Sequence, residues 1–218
     1  MNRRIAFGVL LLILLTTITS QQKIIISKFN LNKIEVENNF LIEKKEIKKL
    51  LYPIYDKNLL FISNKKIKLL LMQNSFIESF KVKKKYPNTL KIRLFEKKPI
   101  AILIFKKRKF YLSDKIELIE FKNLQNYKNL PYVFGNREDF KIFYSNLKKS
   151  NFPSGLIDKY VYHESNRWDL ETVDSKIIKL PIENYIESLE NYFNLMNKNN
   201  FKKYEVFDYR INDQLILK

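Results

Sequence analysis

Residues 86–101 read YPNTLKIRLFEKKPIA, and the five residues before them, 81–85, read KVKKK. Leu90, Ile92 and Leu94 alternate with Lys91, Arg93 and Phe95; upstream, Phe80 and Val82 alternate with Lys81, Lys83 and Lys85. Apolar residues at every second position mark a half-buried strand. Tyr86-Pro87-Asn88 separates the two runs as a turn, because Pro87 fixes its own φ and Asn88 tolerates turn geometry. The pattern predicts a hairpin with one apolar face and one lysine-rich face.

Upstream of the hairpin, Phe29, Leu31, Ile34 and Val36 are the apolar positions of a short strand. Ile47, Leu50, Leu51 and Ile54 then recur at helical spacing, up to a break at Pro53. Ser63 and Asn64 are good helix caps ahead of a second helix that carries Ile67, Leu70 and Leu71. The order is strand, helix, helix, strand, strand. Two helices can cover one face of a three-stranded sheet and leave the other wet, where lysines are suited.

Downstream, IAILIFKKRKFYLSD (100–114) reads as two strands joined by a basic turn at 106–108, and NLPYVFG (129–135) as a short strand ending at Gly135. Phe140, Phe143, Tyr144 and Leu147 have helical spacing. RWDLETVDSKIIKLP (167–181) reads as a hairpin with Trp168 and Leu170 on one arm, Ile177, Ile178 and Leu180 on the other, and a turn near Asp174-Ser175. Pro181 stands near the first turn of a further helix, with Ile182, Ile186, Leu189, Phe193 and Met196 as its stripe. VFDYR (206–210) is a strand, NDQ (212–214) a turn, and LILK (215–218) a last short strand. With Lys218 as its last residue, that strand is expected to leave its edge uncovered by a tail.

Of 218 residues, 45% are hydrophobic, enough for a folded core. The absence of cysteine excludes disulfides, cysteine zinc sites and thiol catalysis; a single histidine, His163, excludes histidine clusters. The formal charge of +18 comes from 34 lysines and only 7 arginines. Grips on phosphate and base edges favour the planar arginine fork, and these lysines alternate with core residues along strands. Nucleic-acid binding is therefore not expected.

At the N-terminus, Arg3 and Arg4 precede an apolar run, Ile5 to about Thr19. At ~1.5 Å per residue it covers ~22 Å, short of a ~30 Å hydrocarbon core. QQKIII (21–26) prolongs it, with Lys23 able to snorkel. The expectation is an uncleaved membrane anchor over 5–26, with a cytoplasmic stub at 1–4 and everything after it exported.

His163, Glu164 and Ser165 are neighbours in sequence, so along a strand they cannot converge as a catalytic set. Trp168 reads as core and Asp169 as exposed; Glu183, Glu187 and Glu190 read as a solvated helix face. No phosphate-binding loop, dinucleotide fingerprint or zincin motif occurs, and three glycines leave little room for one. No enzyme and no cofactor is expected.

The strand–helix–helix–strand–strand order, NLLF (58–61) read as opening the second helix, and the 82–101 tract resemble a POTRA domain, most closely that of the FtsQ/DivIB family of bacterial cell-division proteins. The 167–181 and 206–210 segments are also similar to that family. Glu37-Asn38 stands where the family usually has Gly-Asn, and the glycine usual after Asp114 is missing. The resemblance implies an α+β protein with a single transmembrane helix, a POTRA domain over 27–98 and a second mixed domain over 99–218. It implies a non-enzymatic divisome scaffold in the bacterial inner membrane at the septum, with its C-terminal domains periplasmic. Its partners would be FtsB-like and FtsL-like single-helix proteins, with further divisome proteins at the POTRA domain. FtsB-like strand addition would use Ile211, Gln214, Leu215, Ile216 and Leu217, supported by Phe207 and Tyr209. The alternative is a POTRA-bearing envelope transport component that handles unfolded client strands.

Overall fold

The structure is a computed structural model that describes residues 3–16, 27–150, 152–211 and 214–218. The chain divides into two compact units, Met1–Lys97 and Lys98–Lys218.

The first unit begins with α1, Arg3–Thr16, whose apolar side chains from Ile5 to Leu14 are exposed. No helix among the described residues is long and apolar enough to cross a membrane. The rest of the expected anchor, 17–26, lies outside the described residues.

The remainder of this unit is a three-stranded sheet in the order β1-β3-β2, built from β1 (Lys33–Glu37), β2 (Ile77–Lys85) and β3 (Thr89–Glu96). β2 and β3 form the expected hairpin, with Phe80 opposite Leu94 and Val82 opposite Ile92. β1 joins parallel to β3, aligning Ile34 with Leu90 and Val36 with Ile92. Helices α2 (Lys44–Leu50) and α3 (Asn64–Leu71) supply Ile47, Ile67 and Leu71, each wholly buried. Fully burying such a side chain contributes ~1.5–3 kcal/mol, so the apolar stripes hold this layer to the sheet. Ser63 caps α3 by accepting from the Lys66 amide, as its residue type suggested.

NLLF does not open that helix. Asn58 accepts from the Leu60 amide and forms a bridge to Asn30, which makes 58–61 a turn; only Leu59 of it is buried deeply. After β1, Asn38 takes a φ of 57°, so asparagine occupies a left-handed position that would favour glycine. The glutamate of the FEKK tract has a definite task. The Glu96 carboxylate accepts the amides of Phe40, Leu41 and Ile42 at 3.0, 2.8 and 3.0 Å and ties the loop after β1 to the end of β3.

The second unit holds a nine-stranded sheet. Its strands are β4 (Pro99–Phe105), β5 (Arg108–Ser113), β6 (Leu118–Glu120), β7 (Tyr132–Phe134), β8 (Ile157–His163), β9 (Arg167–Thr172), β10 (Ile177–Lys179), β11 (Val206–Asp208) and β12 (Ile216–Leu217). They run in the order β12-β11-β10-β9-β8-β7-β4-β5-β6. Helices α4 (Arg137–Lys149) and α5 (Tyr185–Met196) bury Phe140, Phe143, Leu147, Leu189 and Tyr192 in the same core as Tyr160, Trp168, Ile178 and Phe207. Gly135 ends β7 at φ 157°, and a Cβ there would lie 2.8 Å from the Tyr162 Cβ. The β4–β5 turn is Lys106-Lys107, both at positive φ, while Arg108 already belongs to β5.

Several expectations change. β6 and β8 are strands that the alternation pattern did not reveal. Ile177 lies on the outer face, because its neighbour Ile178 takes the core position. α5 begins at Tyr185, past Pro181, and leaves Glu183 outside the helix; its buried face uses Tyr192, while Ile182 and Phe193 are exposed. Asp169 is not simply solvated: it pairs with Arg167 and lies 3.0 Å from the His163 Nε2.

Candidate partner-binding edge

β11 and β12 determine what the last edge of the large sheet can offer. β11 runs parallel to β10, and its odd-numbered neighbours turn toward it: Ile177 donates to the Glu205 carbonyl at 2.8 Å, and Tyr209 donates to the Lys179 carbonyl at 2.9 Å. Val206 and Asp208 therefore turn their main chain to β12. Val206 and Lys218 exchange both hydrogen bonds, at 3.0 and 3.1 Å. In an antiparallel ladder the bonded pairs alternate. With Phe207 opposite Leu217 and Asp208 opposite Ile216, the bonded pairs are 206–218 and 208–216. The N–H and C=O groups of Leu217, and by the same alternation of Leu215, then point away from the sheet. No strand lies beyond β12 among the described residues.

The side chains follow the pleat. Phe207 is 1% exposed and packs edge-on against Tyr192 with ring centroids 4.8 Å apart. Leu215 and Leu217 rest partly buried on that core, while Ile216 and Ile211 are exposed. Tyr209 is buried and donates its hydroxyl to Asn191 on α5 at 3.0 Å; burial pushes its pKa up, so it stays a neutral donor. Asp208 is buried beside Arg210, whose Nε and Nη2 donate to it at 2.8 and 2.5 Å. That contact holds the carboxyl below its ordinary range.

Next to the strip runs a groove of about 470 Å³. Tyr209, Ile211, Gln214 and Leu215 form one wall, and Glu183, Glu187 and Asn191 stand on the side of α5. Of the residues expected at the site, the structure brings Tyr209, Ile211, Gln214 and Leu215 to the groove, Ile216 and Leu217 to the edge strand, and Phe207 to the core beneath. Asn212 and Asp213, between them, lie outside the described residues. Sequence reading missed the α5 wall. Glu183 and Glu187 read there as a solvated face, and only the fold sets them across from residues about 25 positions later in the chain. Among the described residues no group of three acidic or histidine side chains could hold a metal ion.

Residues 29–97 match the family model described as a POTRA domain, FtsQ-type. Over 177 residues the chain is 29% identical to the cell division protein FtsQ of Rickettsia bellii, covering 79% of this chain and 64% of that one. It is 28% identical to the FtsQ of Rickettsia conorii, over 84% of this chain and 69% of the relative. A cell division protein DivIB from Clostridium tetani is 26% identical over 77% of this chain and 63% of its own. The chain is similar to cell division proteins of the FtsQ/DivIB family. Residues 29–97, within the first unit, thus match an FtsQ-type POTRA domain in a mixed α/β chain. The chain spans somewhat under two-thirds of the length of the first FtsQ relative.

Proposed function

We propose that this FtsQ/DivIB-like chain is a non-enzymatic scaffold of the bacterial divisome. It is held in the inner membrane by a single segment at 5–26, with its N-terminus cytoplasmic and both folded units periplasmic at the septum. The names of its relatives support a role in division, and Arg3 and Arg4 ahead of the apolar run support the orientation.

The mechanism is strand addition. An extended segment of an FtsB-like partner pairs with β12, and an FtsL-like protein joins through that partner. The observation that carries this reading is the outward-turned main chain of Leu215 and Leu217 on the outermost strand. Main-chain bonds would supply affinity, and the adjoining groove would supply choice of side chain. Ile211 and Leu215 offer an apolar contact there, and Glu183 and Glu187 accept from a donor or cation. Capture from detergent-solubilised cells tests the assembly: the full chain should retain FtsB-like and FtsL-like single-helix proteins, and a fluorescent fusion should mark mid-cell. Retention of neither protein, with an even envelope signal, would contradict the proposal.

A further inference from the structure

The chain enters the POTRA unit at residues 28–31, and the main chain shows what lies beside that entry. Leu59 donates to the Phe29 carbonyl at 2.8 Å, Leu31 donates to the Lys57 carbonyl at 2.9 Å, and Asn30 bridges Asn58. Asn32 donates to the Asn88 carbonyl at 3.1 Å, and the Phe29 ring meets Tyr86 edge-on at 6.2 Å. The 57–61 turn and the β2–β3 turn are therefore pinned at the entry end. Twelve residues, 17–28, separate Phe29 from the end of α1, a reach of at most ~45 Å.

The side chains at this end form an unusual mixture. Phe61 is 84% exposed, Leu60 49% and Tyr86 55%. Around them stand Lys57, Lys65, Lys66 and Lys84, the last donating to the Leu60 carbonyl at 3.3 Å. None of these four lysines makes a salt bridge among the described residues. α3 starts here with no acidic residue in its first turn to offset the cations there. Lys66 is in contact with Lys57, which holds its amine below the ordinary lysine value. Exposed aromatic and aliphatic tips within a lysine rim match the boundary between lipid headgroups and acyl chains.

We propose that this end of the POTRA unit, with Phe61, Leu60 and Tyr86 as apolar contacts and Lys57, Lys66 and Lys84 as charges, docks on the anionic phospholipid surface of the membrane. The proposal rests on the reading that 5–26 is a membrane anchor. The anchor supplies the high local lipid concentration, and the patch then sets the tilt of the unit on the bilayer.

The native chain has no cysteine, so a single probe can be placed cleanly. The full chain carrying Asn64→Cys, at the start of α3, or Gln73→Cys, beyond its other end, is labelled with an environment-sensitive fluorophore. Each is reconstituted in phosphatidylcholine vesicles, with and without phosphatidylglycerol, that contain a headgroup-level quencher. The probe at 64 should be quenched more than the probe at 73 in anionic vesicles, with the difference shrinking in neutral ones and at high salt. Neutralising Lys57 or Lys66 to Gln should lower the docked-to-undocked ratio about fivefold for each lysine. Equal quenching at both positions, or no response to these exposed-lysine variants, would overturn the proposal. So would a position 64 that stays unquenched on vesicles but becomes shielded when an added protein partner binds. Release of the whole chain from vesicles by alkaline carbonate marks failure of the anchor itself, and is told apart by sedimentation.

Discussion

Replacing Glu96 with alanine should loosen the POTRA unit and leave the second unit intact. Glu96 accepts three consecutive amides, those of Phe40, Leu41 and Ile42. Hydrogen bonds to a charged acceptor contribute ~1.5–3 kcal/mol each when the partner is otherwise stranded. The Phe40 amide is exposed and can turn to water, whereas those of Leu41 and Ile42 are part-buried. Counting mainly the latter two, and allowing for some hydration of the relaxed loop, gives ~2–4 kcal/mol. For a unit of this size each kcal/mol moves Tm by ~4–8 °C. Calorimetry of the full chain should therefore show the POTRA transition lowered by at least ~8 °C. The single tryptophan, Trp168, lies in the second unit, so its fluorescence transition serves as an internal control and should stay in place. Hydrogen exchange at Leu41 and Ile42 should quicken first. Glu96→Gln, which keeps an acceptor but loses the charge, should fall between. A shift of under ~2 °C in Glu96→Ala, with unchanged exchange at Leu41 and Ile42, would refute the anchoring role.

Gly135→Ala should destabilise the second unit by ~2–4 kcal/mol in chemical denaturation, since the new Cβ meets the Tyr162 Cβ and the φ disfavours any side chain. Changing Lys106-Lys107 to Asn-Gly should raise stability by ~1–2 kcal/mol, because both residues sit at positive φ in a two-residue hairpin turn. The pH dependence has a definite sign. Glu35 is held down to about 2 by Lys85 and Lys33, and Glu37 is lowered by Lys91, so both have depressed folded-state pKa values. Their contribution is fully present above the ordinary value of 4.5 and is lost as pH falls toward 2. Acid titration of Glu35→Gln should show a shallower loss of POTRA stability over that window, and salt should flatten the native curve.

The hairpin at 77–96 was legible because its alternation is strict and its turn chemistry unambiguous. The two POTRA helices were legible from their apolar spacing: Ile47, Leu51, Ile67 and Leu71 are buried, while Leu50 and Leu70 are half-buried. β8 was not, since IDKYVYH mixes charged and aromatic residues and two of its tyrosines differ in burial: Tyr160 is core and Tyr162 is half-buried. The stripe of α5 failed at one choice. Spacing allows either Tyr192 or Phe193 after Leu189, and the packing partner that decides it, Phe207, comes from a strand later in the chain. The last strand could be read from LILK, but its main-chain orientation could not, because that depends on the parallel pairing of β10 with β11. The lysine-rich sheet face is wet, as its alternation implied; the lysines of the proposed membrane contact lie at the entry end, on two turns and the start of a helix.

Strand addition at β12 is tested most directly by the affinity of an FtsB-like partner for the full chain carrying Leu217→Pro. The substitution removes the outward N–H of Leu217 while the bonded pairs 206–218 and 208–216 toward β11 remain possible. The account predicts a loss of more than about tenfold in affinity, with native Trp168 fluorescence showing the unit still folded. Ile216→Pro, whose N–H faces inward, should instead weaken the β11–β12 ladder itself. An unchanged Kd for a folded Leu217→Pro chain would contradict the account.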